Sequence, residues 1–367
     1  MPTGAAPTWY NHTVSREAVL YEALPGGKVR CNVCHWRCAI PEGAFGACRM
    51  RQAVDGRIVL YNYPGVASVY PDPVEKKPLF HFFPGTRVFS MGSWGCNFHC
   101  KHCQNWEISF ASPEQAARLS QDISPAEAVE LTKRTGCQGI AWTYNEPSIW
   151  LEYALDCAVL AKKEGLYTVF VTNGFSTPEA LDLIGPYLDA FRLDVKGFTD
   201  EFHRDLARVF RWRNLLDMGK YAKSHWDMHV EVVTNLIPTM NDDEPQITAI
   251  AEWIRDELGP DTPWHITAFH PDHQLIHLPH TPLAALEQGV AIGKKIGLSY
   301  VYPGNVAGHP DENTLCPSCR EVVISRTGYR VRINALTEDG RCAKCGSDLN
   351  IRTAAYRRRL PATAPAP

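Results

Sequence analysis

Three cysteines, Cys96, Cys100 and Cys103, share one short stretch, Gly95-Cys-Asn-Phe-His-Cys-Lys-His-Cys103, in a C-x3-C-x2-C pattern. Three thiolates leave one corner of a four-iron cluster without a protein ligand. That suits a [4Fe–4S] cluster whose remaining iron binds something else. A fourth thiolate would close the cluster and limit it to storing or passing electrons. Competing readings are three loop thiols, or a zinc site completed by His99 or His102. The stretch follows an apolar, strand-like run at Val88–Met91, so it reads as a ligand loop at a strand end.

Two further cysteine groups flank it. Cys31, Cys34, Cys38 and Cys48 follow C-x2-C-x3-C-x9-C, which can close a zinc site or ligate an iron–sulfur cluster. Spacing does not separate the two metals, nor a structural clip from a redox centre. Cys316-x2-Cys319 and Cys342-x2-Cys345, 22 residues apart, form a zinc-ribbon pattern around two hairpin-like strands. A structural clip is the simpler reading there. Nucleic-acid contact through Arg326, Arg330 and Arg332, or partner docking, is the alternative. Eleven of the thirteen cysteines thus fall in metal-type groups, and Cys137 and Cys157 read as buried small hydrophobes. Such usage indicates a reducing compartment and metals in place of disulfides.

The 367 residues are 45% apolar with a net charge of -3, enough for a full core and no global basic field to attract nucleic acid. There is no basic-plus-apolar leader and no run of 18 apolar residues, so the expectation is a soluble, cytoplasmic protein without membrane contact.

The elements that must position these groups follow a β/α rhythm. Strands are expected at Val88–Met91, Gly139–Thr143, Thr168–Thr172, Ala190–Val195, His229–Ile237 and Trp264–Phe269, with a further run at Leu298–Tyr302. Helices fall between them: Ser124–Thr135, with Ser124 as N-cap and Glu127 completing a capping box, then Glu152–Glu164 and Pro245–Glu257. Apolar strands with helical crossovers predict an α/β fold, a partial (β/α)6 TIM-like barrel. Chemistry would sit at the C-terminal strand ends. Polar groups recur there: Thr143-Tyr-Asn-Glu-Pro147, Thr172-Asn-Gly174, Asp194 with Lys196, His229 with Glu231, Thr234 and Asn235, and His270. Around one cluster they suit an amino-acid-like zwitterion plus a ribose, with Glu146 accepting from an ammonium and Lys196 pairing with a carboxylate.

The expected domains are 1–85 (appendage, four-cysteine module and linker), 86–310 (barrel), 311–350 (zinc ribbon) and 351–367 (a basic, Pro/Ala-rich tail with Arg357-Arg-Arg). Ser15–Leu24 reads as a short helix, and residues 57–70 as two strands around a Pro-Gly turn. In the linker Pro71–Pro84, Lys76 and Lys77 read as a solvated face and His81 as a local hydrogen-bond partner.

The cysteine loop, with His102 before its third cysteine, resembles the radical S-adenosylmethionine superfamily, in the branch of the pyruvate formate-lyase-activating enzymes. More narrowly, the chain is similar to the radical enzyme of the AmmeMemoRadiSam system. Lys77-Pro-Leu-Phe-His-Phe-Phe-Pro-Gly85, Gly95–Asn105, Thr143–Pro147, Val171-Thr-Asn-Gly174 and Tyr300-Val-Tyr-Pro-Gly-Asn305 carry the likeness over about residues 15–350. The resemblance implies a [4Fe–4S] cluster on Cys96, Cys100 and Cys103, with S-adenosylmethionine chelating the open iron. It implies reductive cleavage of the sulfonium and hydrogen abstraction by a 5′-deoxyadenosyl radical. It places the backbone around His102 against adenine, Asn145 and Glu146 in the amino-group motif, and Asn173, Asp194 and Lys196 near ribose and carboxylate. His229 and Glu231 would face the same pocket. A zinc in the ribbon and a second metal or cluster in the N-terminal module fit the pattern. The implied partners are flavodoxin or ferredoxin as electron donor, and Memo-like and Ammecr-like proteins. Alternatives are a glycyl-radical-enzyme activase and an RNA-modifying or RNA-binding protein recruited through the ribbon. Thr239 stands where the family usually has glycine, and Ala268-Phe-His-Pro271 where relatives often read Arg-Phe-x-Pro, so the substrate pocket transfers less well than the cofactor site.

Overall fold

A computed structural model describes residues 16–356 and Arg358. Met1–Ser15, with the suggested N-cap Ser15, and the rest of the basic tail lie outside the described residues. The described residues divide into two compact units: 16–71 with 88–189, and 72–87 with 190–356 and Arg358.

In the first unit, β1 (Arg87–Gly92), β2 (Gly139–Trp142) and β3 (Tyr167–Thr172) run parallel, with β2 central: Gly139 pairs with Val88 and with Tyr167. Nearly every residue of the three is buried, which is why they read as unbroken apolar runs. Helices α1 (Pro125–Arg134) and α2 (Leu151–Lys163) cross over between them. Ser124 caps α1 by accepting from the Glu127 N–H at 3.2 Å, the first half of the expected box.

The N-terminal segment corrects one expectation. Arg16–Glu17 and Tyr21–Leu24 are strands, not a helix. The first pairs with the distant Arg57–Leu60 and the second closes a local hairpin with Lys28–Cys31, so strand pairing overrides a weak helical pattern. Residues 57–70 also differ: Arg57–Leu60 pairs with Arg51–Val54, and Gly65–Val66 with Gln121–Asp122, so the two expected strands do not pair across their own turn.

The second unit holds β4 (Ala190–Asp194), β5 (His229–Leu236), β6 (Trp264–Ala268) and β7 (Val301–Gly304), parallel and in that order. Helices α3 (Asn214–Ser224), α4 (Glu244–Trp253) and α5 (Leu283–Ile296) lie between them in sequence. The chain is therefore α/β with central parallel strands. The C-terminal module folds on the antiparallel strands Thr314–Leu315, Val322–Thr327 and Arg330–Ile333. Cys316, Val323, Ile324, Cys342, Leu349 and Ile351 form its core.

Lys77 is a second correction. Its ammonium is buried, 2.6 Å from Asp72, while Lys76 bonds the same carboxylate from the surface. Arg326 is a third. It is buried, donating to Thr314 Oγ1 at 2.7 Å and the Phe80 carbonyl at 2.8 Å, and so gives no support to a nucleic-acid face. Cys137 and Cys157 are buried as expected.

Candidate active site

The three-cysteine loop leaves the C-terminal end of β1, and the ends of β2 and β3 meet it. Asn145, after β2, braces the loop: its Nδ2 donates to the Gly95 carbonyl at 2.7 Å and its Oδ1 accepts from Ser93 N at 3.1 Å. Gly95 has φ +78°, and a Cβ there would come within 2.5 Å of the Cys48 carbonyl oxygen, so only glycine fits. Asn97, inside the loop, accepts on Oδ1 from Asn173 Nδ2 at 2.8 Å. Trp36 Nε1 donates to the Asn97 carbonyl at 2.7 Å. Sequence reasoning passed over Asn97 and Trp36; the asparagine's place inside the cysteine motif was the available signal.

Glu146 caps the short helix that follows β2. Its Oε1 accepts from Ser148 N at 3.0 Å and Thr172 Oγ1 at 2.8 Å, and its Oε2 from Asn173 N at 2.8 Å. A carboxylate has about four acceptor sites, so one on Oε2 is left over. Burial raises the Glu146 pKa, with the Asn173 and Ser148 N–H groups foremost among the donors pulling against it. Burial also pushes the Cys96 thiol well up, with Glu146, Cys100 and Cys103 charges adding. An uncompensated thiolate is costly in such a site; a cationic iron centre offsets it. Phe98 N already donates toward Cys96 Sγ at 3.4 Å, and His102 is buried beside it in the loop.

The residues fit the cluster. Three thiols on eight residues supply the donor set. Asn97 Nδ2 and Ser93 Oγ are buried polar atoms without a partner in the chain, in the same loop. Such atoms are costly unless something else accepts or donates there.

The other expected contacts lie in the second unit. Asp194 is paired with Arg192 and, at 3.0 Å, with Lys196. Burial alone would raise its pKa, but the two cations hold it below the usual carboxylate range. His229 and Glu231 were expected to face the cofactor, and the structure places them in a closed network. Glu231 Oε1 accepts from His229 Nε2 at 2.9 Å and His81 N at 2.7 Å; Oε2 accepts from His265 Nε2 at 2.6 Å and Phe80 N at 3.0 Å. Four donors use its acceptor capacity within the chain. His265 went unremarked in the sequence; its partner lies 34 positions away.

The four cysteines of the C-terminal module form a group that can hold a metal ion, all sulfurs within 4.8 Å of one another.

Residues 93–249 match the model of the Radical SAM superfamily, which begins at this loop and runs through β5. An uncharacterised protein of Methanocaldococcus jannaschii is 40% identical over 337 residues, 92% of this chain and 99% of that protein. The pyruvate formate-lyase 1-activating enzyme of Escherichia coli K12 is 25% identical over 178 residues, 47% of this chain and 70% of that enzyme. The chain belongs to the radical SAM superfamily and is an enzyme of that class. Its relatives include activating enzymes of glycyl-radical systems, and the family implies a [4Fe–4S] cluster and S-adenosylmethionine. A radical SAM methyltransferase from Sphaerobacter thermophilus also superposes with a TM-score of 0.47, at 15% identity over 64% of this chain and 71% of that one. Among the described residues no helix is long and apolar enough to cross a membrane.

Proposed function

We propose that the chain cleaves S-adenosylmethionine reductively at a cluster held by Cys96, Cys100 and Cys103, and takes a hydrogen atom from a small-molecule or protein substrate. What supports this most is the bracing of the three-cysteine loop by Asn145 and Asn173 beside the spare acceptor site of Glu146. When bound, the cluster and S-adenosylmethionine supply reductive bond cleavage and hydrogen abstraction; the chain positions them and excludes water. Glu146 would accept from the methionyl ammonium. Asn145 and Asn173 are positioning residues, since their side chains already hold Gly95 and Asn97. The backbone around His102 would hold adenine. Lys196 takes up a carboxylate only if its ion pair with Asp194 opens. Glu231 and His229 act as structural residues.

The reading extends to the subfamily. The motifs at residues 77–85 and 300–305 support membership of the AmmeMemoRadiSam group. Its partial (β/α)6 barrel, a flavodoxin or ferredoxin donor, and Memo-like and Ammecr-like partners follow from that. Zinc suits the C-terminal set. Cys316 and Cys345 sulfurs are 3.5 Å apart, and Cys319 and Cys342 sulfurs 3.7 Å. Tetrahedral bonds of ~2.3 Å give an edge of about 3.8 Å.

The test is anaerobic. Cluster-loaded, dithionite-reduced protein is incubated with S-adenosylmethionine, and 5′-deoxyadenosine and methionine are quantified beside Cys100→Ala. Turnover lost in the variant supports the reading; equal, background-level product in both refutes it. Deuterated candidate substrates then report the abstracted hydrogen as deuterium in 5′-deoxyadenosine.

A further inference from the structure

The two four-cysteine sets have the same donors but different geometry. Among the described residues, no other group of three or more cysteine, histidine or carboxylate donors closes to the spacing of the C-terminal set. Cys31, Cys34, Cys38 and Cys48 therefore stand further apart, and they line a common pocket walled by Ile40, Ile149 and Arg51. One zinc ion would draw four thiolates to edges of about 3.8 Å. A cube of iron and sulfide holds its ligands much further apart, because each thiolate sits on a different corner.

The wall of the pocket has the matching chemistry. Arg51 is buried; its Nη1 and Nη2 bond Glu152 at 3.0 and 2.5 Å, and Nη2 also bonds the Ile149 carbonyl. Its Nε is buried with no partner in the chain, leaving one N–H for a sulfur. Ala47 N already points at Cys38 Sγ, at 3.5 Å. N–H donors to cluster sulfurs and an apolar wall are what tune such centres. The pocket also abuts the other ligand loop, since the Cys48 carbonyl packs on Gly95.

We propose that Cys31, Cys34, Cys38 and Cys48 hold a second [4Fe–4S] cluster, not zinc. All four irons are then ligated by protein. No position is left for a substrate, and its chemistry is electron exchange. The proposal does not depend on the reaction at Cys96–Cys103, and its test separates the two.

The native chain, reconstituted anaerobically with iron and sulfide, is assayed for metals and by Mössbauer spectroscopy, beside a Cys96→Ala/Cys100→Ala/Cys103→Ala variant. The expected result is about eight irons in the native chain and about four in the variant. The variant's reduced cluster should give an electron paramagnetic resonance signal that S-adenosylmethionine does not change. A variant that folds, by far-ultraviolet circular dichroism, and holds no four-iron cluster overturns the proposal, whether its thiols carry zinc or nothing. Should that variant not fold, the native count decides: about four irons overturns it and about eight upholds it. A folded variant without a four-iron cluster would leave the radical reaction standing and remove only the second cluster.

Discussion

Asn145 holds Gly95: one amide N–H donates to the glycine carbonyl at 2.7 Å, while the same side chain accepts from Ser93 two residues earlier. An asparagine expected to touch the cofactor thus spends both ends on the loop that carries the three cysteines. Asn145→Ala should cost about 1–3 kcal/mol from two lost hydrogen bonds in a buried loop. It should also lower iron occupancy. Urea unfolding and iron per chain measure both; native values for each would remove the bracing role.

Arg51 and Glu152 form a pair with exposures of 2% and 0%. Removing one partner strands a buried charge. Arg51→Met should therefore cost about 3–5 kcal/mol, and Arg51→Met with Glu152→Leu much less than the sum of the two single changes. Denaturant titration of the four proteins gives the coupling. Strict additivity would mean that the pair is not what stabilises this corner.

Acid should weaken the second unit through His81. Its Nδ1 faces the Leu349 carbonyl at 3.0 Å, so Nδ1 carries the proton, and Nε2 accepts from Tyr302 Oη at 2.7 Å. Burial, against the pull of Glu231, lowers its pKa to about 3. Unfolded, it protonates near ~6.5. Between those values the unfolded chain binds the extra proton. Stability is therefore full above about pH 6.5 and falls as pH drops toward about 3, by up to about 1.4 kcal/mol per pH unit. His229 and His265, lowered by burial, add in the same direction. Melting temperatures from pH 7.5 to 5 should fall less steeply for His81→Gln than for the native chain; parallel curves would rule His81 out as a source.

Thr239 has φ +69°, the left-handed region that a β-branched residue rarely adopts. The resemblance noted from the sequence implies glycine at this position. Thr239→Gly should stabilise by about 1 kcal/mol, since the strain of roughly 1–2 kcal/mol is partly offset by glycine's freer unfolded chain. The Thr239 N–H bond to Asp242, at 2.8 Å, comes from the backbone and is kept in the variant, so a shift to lower melting temperature would show that the left-handed φ carries no strain here.

The C-terminal module has a small core around its cysteines. Cys342→Ser should remove about one metal per chain and loosen that core, because a small module gains much of its folding energy from the ion. Metal analysis with limited proteolysis after residue 311 reports it. Unchanged metal content would place the ion elsewhere.

The chain order alone determined the cysteine groupings and the parallel strands. Cysteine spacing is local, and strands buried on both faces must be continuously apolar, so Val88–Met91 through Trp264–Phe269 were legible within a residue or two of their observed ends. Tertiary structure decided what depends on distant partners. It made a strand of Arg16–Glu17 against Arg57–Leu60 and turned Glu231 into the hub of residues up to 151 positions away. It also separates the two four-cysteine sets. Their sequence patterns admit the same metals, but sulfur-to-sulfur distance is a property of the folded chain, and among the described residues only the C-terminal four lie within 4.8 Å of one another.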